Sequence, residues 1–466
     1  MVFSSMTFLY YFLPLVLLSY FVTPKVAKNS VLLMASLLFY GWGEPRYLIL
    51  MAITVAIGFV SALIIEKNRG KMSAKITLYV ALFCCLGLLG VFKYADFFIE
   101  SFNKVTGLSI AFLRLTLPIG ISFYTFQLIS YIIDVYRGDS KAQKNYGTLL
   151  TYVAMFPQLI AGPIVRYKDV AEELKSRNHS IPMIREGIVR FVMGLGKKVL
   201  IANQLGELSD IYNKVGDNSV TFAWICAIAS ALHIYFDFSG YSDMAIGLGR
   251  IFGFKFPENF DYPYISKSIT EFWRRWHMTL GGWFRDYVYF PLGGSRVKSG
   301  RLVFNLLIVW MLTGLWHGAS WNFVIWGLFF GVLLIIEKLF TLKYITKAKV
   351  LNHIYVIFAA IISFVIFDAE NMDVLWENLK NMFGLGGLKG ITNETLYYTV
   401  SYGFTLFVAV IGATPLVKLV ASRAMMLAEK YKVDTILESL VLSIILILST
   451  AHLVDGSFNP FLYFRF

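Results

Sequence analysis

Most of the chemistry available to this chain gathers around two of its six histidines. His317 stands in Gly314-Leu315-Trp316-His317-Gly318-Ala319-Ser320-Trp321, between two apolar arms that look short for two generous membrane crossings. Gly314 and Gly318 permit close backbone approach and a break in the chain, and the indoles of Trp316 and Trp321 could wall a pocket. An imidazole kept from bulk water suits the removal of a proton from a hydroxyl nucleophile. The plainer reading is a hydrogen-bonded core histidine at a helix junction, and spacing alone leaves both open.

The second constellation is Glu271-Phe272-Trp273-Arg274-Arg275-Trp276-His277-Met278-Thr279-Leu280, followed by Gly281-Gly282-Trp283-Phe284-Arg285-Asp286. Three tryptophans and three arginines in so short a stretch could form an amphipathic interfacial helix. Alternatively they line a vestibule open to the cytoplasm. There Arg274 and Arg275 would grip a phosphorylated carrier by paired hydrogen bonds, and His277 would point inward. A third cluster, His233-Ile234-Tyr235-Phe236-Asp237-Phe238-Ser239-Gly240-Tyr241-Ser242-Asp243, sets His233 and Asp237 on one helix face. A metal pair there lacks a third ligand, so the cluster reads as a polar network near the pocket and no metal is expected. His179, in the loop 176–180, reads as solvated, and His353 and His452 as structural residues near the ends of apolar segments.

The elements that must position these groups are membrane helices. The chain has 466 residues, 57% hydrophobic and 15% charged, where a soluble domain would carry about a quarter charged residues. Several stretches reach the length needed to cross a hydrocarbon core of about 30 Å. They lie near 6–22, 30–41, 46–65, 76–92, 108–133, 186–204, 219–238, 302–316, 319–336, 350–367, 397–416 and 436–453. The expected architecture is all-α and polytopic, with roughly 11 or 12 crossings. Pro118, Gly120 and Ser122 should break the segment 108–133. Residues 147–165, apolar but carrying Pro157, Gly162 and Pro163, read as a re-entrant element, and 239–300 as a cytoplasmic-side structure. The apolar stretch near the start has no basic lead-in and no small-residue cleavage site, so it reads as a retained span. Cys84, Cys85 and Cys226 sit inside apolar segments and say nothing about redox compartment.

The net charge of +13 falls mostly in alternate loops. Lys25 and Lys28, Lys67 to Lys75, Arg137 to Lys144, Arg166 to Arg185, Arg250 to Arg301, Lys338 to Lys349 and Lys418 to Lys432 all land on one side. Short basic loops stay cytoplasmic, so the charge expresses orientation and headgroup attraction rather than nucleic-acid binding.

Taken in order, several segments resemble the membrane-bound O-acyltransferase (MBOAT) superfamily, in its bacterial alginate O-acetyltransferase-like branch. They are Met1-Val2-Phe3-Ser4-Ser5, Phe39-Tyr40-Gly41-Trp42-Gly43, Leu117-Pro118-Ile119-Gly120-Ile121-Ser122-Phe123 and Phe156-Pro157-Gln158-Leu159-Ile160-Ala161-Gly162-Pro163. The series continues through Tyr235 to Asp243, Trp273 to Gly294 and Leu315-Trp316-His317-Gly318, and ends at Asn459 to Phe466. The resemblance implies one membrane domain over 1–466, a ring of tilted helices around a thin centre, with the catalytic-histidine region at 302–336. It implies His317 as catalytic histidine and His277 as the second functional one. Trp273, Arg274, Arg275, Trp276, Trp316 and Asp237 are the associated donor-binding candidates. It also implies acetyl-CoA as acyl donor, an extracytoplasmic SGNH-type partner, a polysaccharide as final acceptor, and residence in a bacterial cytoplasmic membrane. One departure is visible: Ile366-Phe367-Asp368-Ala369 stands where this branch usually carries an arginine after the aromatic pair. D-alanyl transfer to teichoic acid from a carrier protein is the near alternative. A polysaccharide or solute transporter is the alternative of another class; it predicts inverted repeats, and none stands out.

Overall fold

Long apolar stretches can satisfy their backbone within a membrane only by hydrogen bonding to themselves, and here they do so as helices. The computed structural model describes residues 1–345 and 347–456. The landmark at 459–466 lies outside the described residues. Among those residues there are no strands, only an isolated bridge between Ser219 and Lys389. The chain divides into two units, residues 1–190 with 245–257, and 191–244 with 258–466.

The first unit opens with a π-helical turn, Phe8–Phe12, that leads into α1 (Leu13–Val22). It continues with α2 (Lys28–Gly41), α3 (Tyr47–Lys67), α4 (Met72–Thr106) and α5 (Ile121–Arg137). Then come α6 (Tyr146–Ala154), α7 (Phe156–Leu159), α8 (Tyr167–Lys175) and the start of α9 (Ile181–Gly196). The break expected in 108–133 is present: no helix forms over 108–119, and α5 begins only after Gly120, whose φ is 74°. A side chain at Gly120 would also bring its Cβ to 2.7 Å from the Leu159 carbonyl oxygen. The segment 147–165 folds into α6 and α7, bent at Met155. Pro157 sits in the first turn of α7, where its missing N–H leaves no bond unmade. Every residue from Thr151 to Val165 is buried.

The second unit holds α10 (Asn203–Tyr212), α11 (Val220–Ile251) up to Met244, α12 (Ile269–Arg275) and α13 (Met278–Phe284). After these come α14 (Ser299–His317), α15 (Trp321–Ile345), α16 (Leu351–Asp368), α17 (Met372–Met382), α18 (Asn393–Gly412), α19 (Leu416–Lys430) and α20 (Asp434–Val454). Residues 239–251, read from sequence as the start of a vestibule, instead continue α11: Gly240, Gly247 and Gly249 stay helical, and the helix ends at Ile251, just before Gly253 with its φ of 86°.

Eight helices among the described residues are long and apolar enough to cross a membrane: α3, α4, α11, α14, α15, α16, α18 and α20. The segments expected at 6–22 and 30–41 fold into shorter helices, Phe8–Val22 and Lys28–Gly41. The arms around His317 are longer than the sequence suggests, because α14 starts at Ser299 and α15 runs on to Ile345. α18 and α20 leave Val400, Phe404, Phe407, Leu440, Ile444 and Ile447 exposed. Contiguous apolar faces of that kind belong in lipid. The protein is a multi-pass membrane protein.

Candidate active site

His317 is the last residue of α14, and after three intervening residues the chain re-enters a helix as α15 at Trp321. Small residues set the spacing of this hairpin. A Cβ at Gly314 would lie 2.2 Å from the Phe323 carbonyl oxygen, and one at Gly327 would lie 2.2 Å from that of Trp310. Only glycine at both positions lets the two backbones approach so closely. His317 is thereby held at a buried helix end, 6% exposed. Its ring packs edge-on against Trp326 at 4.9 Å, Trp316 at 5.0 Å and Phe367 at 5.3 Å. Asn322, at the start of α15, donates from Nδ2 to the Ala369 carbonyl at 2.9 Å and so fixes the end of α16 that presents Phe367.

His277 joins α12 to α13 in a left-handed conformation, φ 43° and ψ 53°. Such a conformation is strained for a non-glycine residue and persists only where surroundings enforce it. The enforcing contacts come from Asn259. Its carbonyl accepts from Met278 N–H at 2.9 Å. Its Oδ1 accepts from the Thr279 N–H at 3.3 Å and the Thr279 hydroxyl at 2.9 Å. An atom that faces a backbone N–H is the amide oxygen, so His277 Nδ1, 3.0 Å away, must carry the proton it donates to Oδ1. Nε2 then bears the lone pair, and it makes no hydrogen bond among the described residues. Burial, with a smaller contribution from His317, holds the His277 imidazole well below its ordinary value and therefore neutral.

The two histidines share a neighbour. Trp316 lies 5.9 Å from the His277 ring and 5.0 Å from that of His317. Phe238 of α11 closes on His277 at 4.6 Å. Trp276 stacks on Phe272 and lies 5.0 Å from Phe364, while Trp273 lies 5.6 Å from Trp326, itself in contact with His317. His277, His317, Trp273, Trp276 and Trp316 thus belong to one aromatic assembly.

The remaining candidates sit around it. Arg274 is exposed. Arg275 is engaged with Asp261 at 2.7 Å and Glu271 at 3.0 Å, which ties the loop before α12 to the helix. Asp237 is buried against Lys198, 2.5 Å away, and one turn and a half further on Asp243 pairs with Lys197 at 2.7 Å. These pairs seat α11, whose Phe238 faces His277. Asp368, at the position of the sequence departure, accepts from the Ser230 hydroxyl at 3.0 Å. His353 makes a structural contact, its Nδ1 donating to the Ser266 carbonyl at 3.1 Å. His179 is not the solvated residue the sequence suggests: its Nε2 lies 2.9 Å from the Tyr20 hydroxyl.

Sequence reasoning missed Asn259 and Glu337. Glu337 is fully buried in α15 and accepts from Ile269 N–H at 2.6 Å, Thr270 N–H at 2.9 Å and the Thr270 hydroxyl at 2.7 Å. It therefore satisfies the orphan donors that open α12. An ionisable residue within an apolar run is a signal that could have found it.

The chain matches the MBOAT, membrane-bound O-acyltransferase family, over residues 143–372. A probable alginate O-acetylase of Azotobacter vinelandii is 43% identical over 392 residues, covering 83% of this chain and 79% of that protein. A probable alginate O-acetylase of Pseudomonas putida is 38% identical over 488 residues, the full length of both. The peptidoglycan O-acetyltransferase of Helicobacter pylori is 35% identical over 425 residues, covering 83% of this chain and 81% of that protein. This chain belongs to the membrane-bound O-acyltransferase family. It is an O-acyltransferase.

Proposed function

We propose that this O-acyltransferase takes an acetyl group from a cytoplasmic thioester, acetyl-CoA, and passes it outward for O-acetylation of an extracytoplasmic polysaccharide, acting in a bacterial inner membrane. The observation that carries the reading is the meeting of two buried imidazoles, His277 and His317, on the indole of Trp316. The names of the relatives support the acyl group and acceptor class, since they describe O-acetyl transfer to alginate and to peptidoglycan.

In this reading a hydroxyl oxygen attacks the thioester carbonyl, forming the acyl–oxygen bond as the carbon–sulfur bond breaks. His317 takes the hydroxyl proton and returns it to the departing sulfur, so that free thiol leaves. His277, with its proton held on Nδ1 by Asn259, offers its Nε2 lone pair to an N–H of the bound donor and so orients the thioester beside His317. Trp273, Trp276 and Trp316 exclude water that would otherwise hydrolyse the thioester. Arg274 is the exposed cation for the donor's phosphates. Arg275 and Asp237 support the assembly through their ion pairs rather than touching the donor. The accepting hydroxyl belongs to an SGNH-type partner that relays the group to sugar. The test uses purified protein in nanodiscs with radiolabelled acetyl-CoA. Wild type should turn the thioester over and His317→Ala should not. No turnover by folded wild type, with or without the partner, would overturn the donor assignment.

A further inference from the structure

In the unit formed by residues 1–190 and 245–257, cations gather around one buried phenol. Tyr20 is fully buried, and its hydroxyl donates to the Phe252 carbonyl at 2.8 Å. The same oxygen accepts from Arg177 Nε at 3.1 Å and meets His179 Nε2 at 2.9 Å. Lys28, itself 9% exposed, donates to the Tyr20 carbonyl at 2.8 Å and lies 4.2 Å over the phenol ring. Arg177 Nη1 donates to Asn29 Oδ1 at 2.8 Å and to the Glu173 carbonyl at 3.2 Å. Lys25 acts electrostatically on both Lys28 and His179.

Every acceptor in this cluster is neutral: a phenol, an amide or a backbone carbonyl. Among the described residues, no carboxylate forms an ion pair with Lys25, Lys28 or Arg177; the Glu173 carboxylate acts on Arg177 only at a distance. Arg177 Nη2 makes no hydrogen bond among the described residues, so donors remain for an incoming group. Lys28 also opens the 14-residue α2, whose N-terminal dipole adds to the positive potential. Partly buried cations without a counter-charge are costly, which argues for an anion from outside the chain.

The neighbouring surface says what carries that anion. Phe21 is 42% exposed, Val22 77% and Val26 97%, an apolar ledge beside the cations. We infer that the Tyr20–Lys28–Arg177 cluster binds the phosphate headgroup of an anionic lipid, with the acyl chains lying along Phe21, Val22 and Val26. The basic loops assign this end of α1 to the cytoplasmic side, where anionic headgroups attract lysine and arginine.

Native mass spectrometry of the full chain in detergent tests the site, by titration with phosphatidylglycerol, with phosphatidylcholine of matched chains, and with inorganic phosphate. Phosphatidylglycerol should bind at about tenfold lower concentration than phosphatidylcholine, and Lys25→Gln and Arg177→Gln should each weaken it about fivefold. Phosphatidylcholine binding should not change. Lys25 is exposed and makes no side-chain bond among the described residues, so Lys25→Gln decides the matter even if Arg177→Gln fails to fold. Equal affinity for the two lipids, or no effect of Lys25→Gln, would overturn the site. Displacement of the lipid by inorganic phosphate at equal concentration would make it a soluble-anion site and overturn the lipid assignment.

Discussion

His277 Nδ1 lies 3.0 Å from Asn259 Oδ1, and the donors from Thr279 on the same oxygen settle which of the two carries the proton. The imidazole is thereby fixed in one tautomer, with its basic nitrogen turned to the site. Asn259→Ala removes that control, and turnover of acetyl-CoA should fall on the order of 100-fold, the loss expected when a positioning group is misplaced by about 1 Å. Asn259→Asp keeps an acceptor and should retain more activity than Asn259→Ala. Single-turnover rates decide it; an Asn259→Ala enzyme as fast as wild type would show that the tautomer does not matter.

Burial holds His277 neutral, well below the ordinary value of 6.5. Activity that needs neutral His277 should stay level as pH falls through 6.5 and drop only further down. Stability follows the same group with a definite sign. Below 6.5 the unfolded chain binds a proton that the folded chain refuses, so stability is complete above 6.5 and declines progressively as pH falls below it. Thermal midpoints at pH 7.5 and 5.5 should differ less in His277→Gln than in wild type. An equal difference in both proteins would assign the slope to other groups.

The α14–α15 hairpin has no room at Gly314, where a Cβ would meet the Phe323 carbonyl oxygen at 2.2 Å. Gly314→Ala should cost about 1–3 kcal/mol or more, because backbone and not a flexible side chain must give way. Gly300, in the first turn of the same helix, has nothing within 4 Å of its Cβ position. Gly300→Ala should be neutral or stabilising by a few tenths of a kcal/mol up to about 1. Melting curves in detergent for the two alanines should separate clearly in opposite directions.

Lys198 and Asp237 form a buried pair at 2.5 Å. Lys198→Met leaves the carboxylate without that partner and should destabilise by about 3–5 kcal/mol, whereas the double variant Lys198→Met, Asp237→Leu should recover much of the loss. A double variant no better than the single would mean that the pair's other contacts dominate.

The sequence made the two histidines legible because each stands among tryptophans and, in the case of His317, between glycines. It made the break before Ile121 legible because proline and glycine act locally. What it hid were partners distant in the chain. Asn259 lies 18 residues from His277, Glu337 is 67 residues from Thr270, and Tyr20 is 159 from His179. Spacing rules reach only along one helix or strand, so none of these meetings has a local signature. Arg275 illustrates the converse: its type suited a phosphate, but Asp261 and Glu271 were already within reach.

Glu337 has a mechanical meaning. Its carboxylate sits toward the end of the helix that follows His317 and grips the first turn of the helix that leads to His277. The two imidazoles are therefore mounted on a single truss, joined near its far corner by three hydrogen bonds. Sliding the segment that carries His277 along the helix that follows His317 would break all three of these bonds and leave a buried carboxylate without them.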